Sequence, residues 1–464
     1  MRPALTLLLA AVGVLAGCAS VPADDAIGVA RDQSQRVDGI APVLATSDAA
    51  HDERRALRSR LLAAPLDEAA AVRLALEASP AMQALLADAW QAQATAAQAA
   101  AAPNPFFAFE RIVTGGNVDL THTLGIGLTE LLTLPARRDA AQRTVQRQQW
   151  QLARDVLAHT ATVRQQWVRA VAAQQLVAYH RQVRDAAEAS AELARRMQAV
   201  GNFSRLQRAR EQAFLADATA QLARAMAAST AEREALVRLL GLDADDAERL
   251  VLPERLADVP AEPRTADEVS RRAVEDRLDL RVARLELAAA ERAAPLATVA
   301  PWHVELAAVR ETGGGETGRG FEIQLPLPVF DSGRARREAA SAQVLAARAR
   351  FEQARAEATS VLRERYVAYR TAHDLARHYR DEVVPLARTV TDEMLLKYNG
   401  MLVGVFDLLA DARAQVHAVI GAIEAQRDFW LAHTALDAAI VGAPATGAAP
   451  GAPQAAKAAA KGDH

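Results

Sequence analysis

The sequence contains very few of the residues that build disulfide frameworks, thiolate metal sites and aromatic cores. Cys18 is the only cysteine among its 464 residues, which excludes an internal disulfide and a cluster of thiolate ligands. Aromatic residues make up 4% of the chain and hydrophobic residues 51%, which favours closely packed helices over a bulky globular core. After residue 18 the sequence has no run of about 18 apolar residues, so we expect no transmembrane helix.

An excess of charge of one sign is also missing. The chain has 54 basic and 57 acidic residues, a net charge of −3, and no basic stripe with interleaved aromatics, so we expect no nucleic-acid partner. Its ten histidines lack the spacing of a helical metal site. Gly315, Gly318 and Gly320 lack the lysine that follows in a phosphate-binding loop. We expect no catalytic residues, no metal site, no cofactor and no enzymatic activity.

The first 18 residues have the pattern of an export signal. A short apolar run, too short to span a bilayer stably, ends in Leu15-Ala16-Gly17-Cys18. This ending resembles the bacterial lipoprotein box, which implies removal of residues 1–17, acylation of Cys18 and anchoring in lipid. Because Ala19 rather than Asp follows, the same resemblance implies sorting to the outer membrane; the alternative is a cysteine that stands at a cleavage site by chance. We interpret residues 18–65 as a lipidated, extended leader.

The two halves of the chain repeat each other at a distance of 199 residues. The matches that carry most weight are Gly115-Gly116 with Gly314-Gly315, Arg137-Arg138 with Arg336-Arg337, and Gly201 with Gly400. We expect this register to hold from about residue 79 to 201, which indicates a duplicated architecture. The chain then divides into repeat 1 (66–242), a connector (243–264), repeat 2 (265–441) and an Ala/Pro/Gly tail (442–464) that we expect to be disordered.

Each repeat is predicted to contain a long antiparallel helical hairpin. Residues 136–200 contain no proline or glycine, which allows a helix of roughly 95 Å. Within it the alternating spacing of a coiled-coil seam is followed by apolar residues with the polar members His159 and Gln166, which weaken the pattern. A break at Gly201-Asn202 precedes a second helix over 204–240. In repeat 2 we predict helices over 266–300, 333–398 and 405–441, with a break at Asn399-Gly400.

Between these helices lie two predicted β-hairpins whose residues alternate with period two. The predicted strands are 106–113, 120–129, 302–310 and 321–329, each close to the roughly 10 residues that a tilted strand needs to cross a membrane. Membrane strands must close into a barrel because lipid offers no hydrogen-bond partner to a free edge. Four strands are too few, so the chain would pool its strands with other copies. The alternative is a pair of soluble hairpins packed on helices.

Duplication, long helical hairpins and membrane-length strands together resemble the TolC family of outer-membrane efflux proteins, within it the lipoprotein members of tripartite pumps, over about residues 66–441. The resemblance implies a mainly α fold with a small antiparallel β part. It implies a homotrimer whose twelve strands form an outer-membrane β-barrel and whose coiled-coil helices form a periplasmic α-barrel. It further implies an exit duct that passively conducts substrates delivered by an inner-membrane transporter through a periplasmic adaptor protein.

The resemblance places the adaptor contacts at the breaks of the two helical hairpins, where exposed apolar residues indicate a partner. Charged residues just behind the breaks could form a closed periplasmic gate, and a solvated helix face explains them equally well. The predicted adaptor-contact tips are Val200, Gly201, Asn202, Phe203, Asn399, Gly400, Met401 and Leu402. The candidate gate residues are Arg208, Arg210, Glu211, Asp407, Asp411 and Arg413.

The cargo remains open between heavy-metal ions such as copper, drugs and a secreted product. Residues 397–401 and 427–430 resemble members linked with metal tolerance, and His378, Met394 and Met401 could be stepping points for a soft metal, although packing and tip contact explain them better. Two readings without a channel also remain: a lipid-anchored coiled-coil structural or adhesin protein, and an enzyme-bearing periplasmic lipoprotein. The first does not need two hairpins in register across a repeat, and the second needs a compact domain for which the sequence gives no sign. A trimer in detergent would separate the channel from both.

Overall fold

The computed structural model describes residues 21–299 and 302–443. The chain is mainly helical and contains one antiparallel four-stranded sheet, as the sequence predicts. The expected signal of residues 1–17, the lipidation site Cys18 and the tail beyond residue 443 lie outside the described residues. Among the helices described, none combines the length and the apolar character that a bilayer span requires.

The described elements follow the predicted order. In repeat 1 and the residues before it, the helices and strands are α1 Ala23–Asp38, α2 Asp48–Leu61, α3 Glu68–Glu77, α4 Pro80–Ala99, β1 Phe106–Thr114, β2 Asn117–Gly127, α5 Leu128–Ala199 and α6 Arg205–Leu240. After these come α7 Ala244–Arg249, α8 Ala266–Asp276, α9 Leu278–Ala293, α10 Leu296–Val299, β3 Glu305–Gly313, β4 Glu316–Gln324, α11 Arg334–His378, a π-helical turn Tyr379–Val383, α12 Val384–Asn399 and α13 Val405–Ile440.

Contacts between residues divide the chain into two compact units. Unit 1 holds the sheet and the described residues within 1–33, 85–153 and 279–356; unit 2 holds 34–84, 154–278 and the described residues from 357 onward. The first long helix, α5, belongs to both, since its residues up to Ala153 lie in unit 1 and those from Arg154 in unit 2. The sheet and the two helical breaks therefore belong to different units.

The leader is helical, which corrects the expectation of an extended segment. Asp24 and Asp25 stand in the first turn of α1 and Arg36 in its last, where they complement the helix dipole. Helix α2 has Ser47 as its N-cap, whose side chain accepts a hydrogen bond from the Ala50 amide at 3.3 Å. The Ser47-Asp48 pair was the missed signal in the sequence.

The sheet has the strand order β1-β2-β3-β4 with every neighbour antiparallel. Both hairpins turn on glycine pairs with positive φ, Gly115-Gly116 and Gly314-Gly315, which side chains with a Cβ rarely adopt. Strand β3 lies three residues later than predicted, and β4 ends at Gln324, so the predicted strand residues Leu325, Leu327 and Val329 lie beyond it. Prolines at 326 and 328 explain this end because they cannot donate to a ladder.

The repeat register changes by one residue before the helical breaks, which corrects the expected constant spacing of 199. The hairpin turns keep that spacing, but the residue with positive φ at the first break is Gly201 and at the second Met401, 200 residues later. Helix α5 is continuous, whereas repeat 2 has the π turn, in which the Val384 amide donates to the carbonyl of Tyr379, five residues back. A π turn takes in one residue more than an α turn, so it accommodates the extra residue.

The connector is held on the helices of unit 2. Tyr369 of α11 and Phe429 of α13 are fully buried with ring centroids 5.7 Å apart, and burial of each such ring stabilises the fold by about 2 kcal/mol. The Arg264 amide donates to the Tyr369 hydroxyl at 3.1 Å, and the Trp430 indole donates to the Ala257 carbonyl at 2.9 Å. These contacts fix the segment that joins the two repeats.

A buried ionic cluster ties α1 and α3 to α5 within unit 2. The Asp38 carboxylate is 1% exposed and lies 3.0 Å from Nη2 of Arg164, whose Nε lies 3.2 Å from Glu68. Burial raises the pKa of both carboxyls, and the attraction of Arg164 offsets that rise only in part. The cluster therefore favours the protonated acids more than water does.

Candidate functional site

The two faces of the four-stranded sheet carry opposite chemistry. Side chains alternate between the faces along each strand, and the pairing register assigns every residue to one of them. One face, named here the apolar face, carries most of the large exposed apolar residues, which are Phe107, Phe109, Val113, Val118, Leu124, Leu306, Phe321 and Ile323. Phe106 and Ile112 lie on the other face. The other, named the acidic face, carries all the acids of the strands, which are Glu110, Asp119, Glu305, Glu311, Glu316 and Glu322.

The basic residues of the strands are all on the apolar face. They are Arg111, His122, Arg310 and Arg319. The acidic face instead has small and polar neighbours between its carboxylates, such as Thr121, Thr123 and Gly320. Sorting of this kind, apolar on one side and acidic with small residues on the other, suits a wall between lipid and water.

Gly125 allows a close approach on the acidic face. The Phe106 ring of the neighbouring strand covers this position, and a Cβ placed on Gly125 would clash with that ring and lie 2.9 Å from the Ala307 Cβ. The aromatic ring thus fills the space left by the missing side chain. Gly320 on the same face meets no atom within 4 Å of such a Cβ, so its space is open.

The sheet has two free edges in the single chain. Strands β1 and β4 stand at the ends of the strand order, and all residues of both strands are exposed. A row of unpaired backbone donors and acceptors is a template for another strand. These edges are where further copies of the chain could extend the sheet.

At both helical breaks, the helix that precedes the break ends in the same hydrogen-bonded motif. At the first break the Gly201 amide donates to Gln198 and the Asn202 amide to Met197; at the second, Met401 donates to Tyr398 and Leu402 to Lys397. This is the Schellman motif, whose left-handed residue is usually glycine. Repeat 2 places Met401 there with φ 59°, the one residue other than glycine with positive φ among those described.

The predicted tip residues differ strongly in exposure. Val200 is 71% exposed, Met401 93% and Leu402 78%, while Gly201, Asn202, Asn399 and Gly400 are also exposed. Phe203 is 8% exposed, which corrects the expectation of an exposed side chain there. It follows the turn directly and is buried just before the start of α6, so its side chain is not part of the exposed surface of the tip.

Of the candidate gate residues, the structure brings Glu211 and Arg413 together. Nη2 of Arg413 donates to both oxygens of Glu211 at 2.8 and 2.9 Å, and the Ser190 hydroxyl donates to the same carboxylate at 2.8 Å. The Glu211 side chain is 2% exposed. The Arg413 guanidinium also lies 4.3 Å from the centroid of the Phe214 ring. The pair joins helix α6 of repeat 1 to helix α13 of repeat 2.

The other four candidates do not form one constellation. Arg208 donates to Gln198 at 2.8 Å, and Asp407 accepts from the Gly404 amide at 3.2 Å, as a helix-capping residue does. Asp411 lines a pocket with His378, and Arg210 is exposed. Within the described residues no group of three or more His, Cys, Asp or Glu side chains is placed to hold a metal ion.

The comparisons with known proteins support the fold. No protein-family model and no curated protein matches the chain, but several solved structures do. A membrane protein from Pseudomonas aeruginosa matches at 20% identity and a TM-score of 0.66, covering 80% of this chain and 92% of that one. The Campylobacter jejuni CmeC outer membrane channel matches at 14% identity and 0.69, covering 82% and 86%. The open state of the Neisseria gonorrhoeae MtrE outer membrane channel matches at 19% identity and 0.64, covering 80% and 88%.

This chain therefore has the fold of these outer-membrane channel proteins. The TolC-type resemblance drawn from the repeats and hairpins is confirmed at the level of the fold.

Proposed function

We propose that this chain is the subunit of an outer-membrane channel that serves as the exit duct of a tripartite efflux pump. The observation that carries the proposal is the sorting of the sheet, with most of its large exposed apolar residues on one face and all the acids of its strands on the other. In a closed barrel the apolar face meets lipid and the acidic face lines the water-filled lumen. The free edges of β1 and β4 pair between copies, and three copies supply twelve strands, enough to close a barrel.

The proposal is tested by the oligomeric state and by ion selectivity in planar bilayers. Glu110 and Glu311 both pair with Thr121 and so stand in one row of the acidic face. We expect a detergent-stable trimer with a preference for cations in a salt gradient, reduced in the E110Q/E311Q variant. The matched control is R310Q/R319Q, which changes the same number of charges on the apolar face and should leave selectivity unchanged. A stable monomer without conductance would overturn the proposal and favour a coiled-coil structural or adhesin protein.

The adaptor contact is proposed at the two helical tips, with Met401 as its central residue. A methionine in the left-handed region costs about 1 kcal/mol relative to glycine, and its side chain is 93% exposed, so it gains nothing from packing within the chain. Strain of this kind indicates a constraint other than folding. A periplasmic adaptor that receives the Met401 and Leu402 side chains accounts for it.

The tip is tested by M401G, which removes the side chain and relieves the strain at once. We expect the variant to unfold no more easily than the parent, and to bind the purified adaptor of a tripartite pump from the same genome about tenfold more weakly. The control is Leu345→Ala, an exposed leucine of unit 1. Unchanged adaptor affinity in a more stable M401G variant would contradict the contact.

The charged residues behind the tips are proposed as a closed gate, with Asp407 and Asp411 as the acids to test. Charge reversal at either should raise the entry of bulky antibiotics such as vancomycin, because like charges introduced into a constriction repel. Unchanged antibiotic susceptibility in both variants would reject the gate. The alternative reading, a solvated helix face, predicts this unchanged result.

The proposed location is the outer membrane, with the mature chain anchored through an acylated Cys18. A passive conduit has no substrate specificity of its own, so we propose that the inner-membrane transporter selects the cargo. We propose heavy-metal ions such as copper as one class of cargo. Growth of a deletion strain on copper, silver, zinc and cobalt salts beside apolar drugs tests this. Sensitivity to metals alone assigns a metal pump, and sensitivity to drugs assigns multidrug efflux.

A further inference from the structure

The apolar face contains a row of basic side chains at one height of the sheet. The register pairs Phe109 with His122, His122 with Arg310, and Arg310 with Arg319. These four residues therefore lie side by side across all four strands. Arg111 stands on the same face one row nearer the hairpin turn.

This row places two positive charges directly opposite each other. Cβ atoms of directly paired residues lie about 5 Å apart, and like charges in that position are destabilising. Arg310 and Arg319 are exposed and form no ion pair among the described residues. Every acid of the four described strands is on the opposite face, so these strands supply no neutralising group here. An anion bound on the apolar face would relieve this repulsion.

The neighbouring rows show what kind of anion fits. On the side away from the turns, the next row holds Phe107, Leu124, Ala308 and Phe321, and the one after it Ile126, Leu306 and Ile323. Rows on one face are about 7 Å apart along a strand. A ligand with an anionic group over the arginines would have hydrocarbon over the next two rows. A membrane lipid with a phosphate headgroup and acyl chains has this chemical structure.

We propose that Arg310 and Arg319, with Arg111 and His122 beside them, bind the phosphate headgroup of an anionic membrane lipid on the outer surface of the barrel. Guanidinium groups match phosphate in geometry and donate paired, charge-assisted hydrogen bonds. The aromatic residues of the apolar face end at this row, because the next row toward the turns holds Arg111, Leu120, Thr312 and Thr317. We place the headgroups at this height. The inference rests on the proposed channel, since it needs the apolar face to meet lipid.

The test is the thermal stability of the purified full-length protein in nanodiscs of defined lipid. Phosphatidylcholine discs are the reference, and the probes are added lipopolysaccharide, added phosphatidylglycerol and inorganic phosphate in the buffer. We expect either anionic lipid to raise the melting temperature of the parent, and the R310Q/R319Q variant to lose that rise. Two lost charge-assisted contacts should weaken lipid binding by at least about tenfold each. In pure phosphatidylcholine the variant should be as stable as the parent or more stable.

Two further variants make the result specific. R310K/R319K keeps the charge and should retain part of the lipid effect, while E110Q/E311Q changes the acidic face and should retain all of it. A lipid effect that survives in R310Q/R319Q, or a variant less stable than the parent in phosphatidylcholine, would overturn the headgroup site. If inorganic phosphate stabilises the protein as much as the lipids do, the residues bind a free anion and not a lipid headgroup, and the proposal is overturned.

Conductance measured on the same samples separates this inference from the proposed function. A conducting trimer without the lipid effect rejects the headgroup site alone. A protein that neither conducts nor forms trimers rejects the channel itself.

Discussion

The Glu211–Arg413 pair is open to a double-mutant cycle because one partner is buried and the other lies nearer the surface. Replacing Arg413 with glutamine leaves the Glu211 carboxylate, 2% exposed, with the Ser190 hydroxyl as its remaining donor. Breaking a fully buried pair from one side costs about 3–5 kcal/mol. The Arg413 side chain is 33% exposed, so water screens part of the pair and lowers this to about 2–3 kcal/mol.

The reverse change is expected to be milder. Replacing Glu211 with glutamine removes the buried charge and keeps an acceptor for Ser190, while Arg413 stays solvated and over the Phe214 ring. We expect a loss of about 1 kcal/mol. The double variant should lose less than the sum of the two, which gives a coupling energy of about 1–2 kcal/mol.

The assay is denaturant unfolding of the detergent-solubilised protein, followed by helical circular dichroism, for the parent, both single variants and the double variant. Arg210→Gln is the matched control because this exposed arginine of α6 should change stability by less than about 0.5 kcal/mol. A coupling energy near zero would refute the reasoning, since it would mean that the two charges do not depend on each other. A destabilised R210Q would show that the effect belongs to the helix in general.

The remaining predictions concern the sheet and the buried acids. Gly125→Val should clash with the facing strands and reduce the yield of assembled trimer severalfold on gel filtration, whereas Gly320→Ala, in open space, should assemble normally. Because the folded-state pKa of Asp38 is raised, its contribution favours the fold below the ordinary value of 3.8 and is lost as the pH rises through the raised folded value. As the pH rises through that pKa, the D38N variant should therefore become more stable relative to the parent. The free energy of unfolding by denaturant, measured at a series of pH values, tests this. Exposed Asp217→Asn should show no such gain, and an equal gain in both would contradict the assignment.

Local signals in the sequence predicted the order of elements well. The glycine pairs at 115 and 314 located both hairpin turns, and Ser204 with Gln207 forms the capping box that begins α6. These features act within a few residues, so a sequence shows them directly. The strand limits were less predictable, since the alternation of 325–329 continued past the prolines that end β4.

Features that depend on pairing could not be located in advance. The sequence shows that adjacent strand residues such as Arg310 and Glu311 point to opposite faces. Whether the acids of all four strands share one face can be determined only from the register in which the strands pair. At the second break the left-handed residue is Met401 instead of Gly400, because a π turn about twenty residues earlier shifts the register by one. The glycine in the sequence alone therefore predicts the wrong residue for the left-handed position. The burial of Phe203 and the pairing of Glu211 with Arg413 also depend on contacts between helices far apart in the chain.

The π turn at Tyr379–Val383 determines how this gene can change in length. One residue added to a continuous α-helix turns everything beyond it by about 100°, which would swing a helical tip away from its partner. Widening a single turn takes up the residue locally, so the second tip keeps its direction although its hairpin is longer. Insertion or deletion of single codons should therefore be tolerated better between residues 379 and 383 than elsewhere in either long hairpin. Length differences among related sequences should occur mainly at these residues.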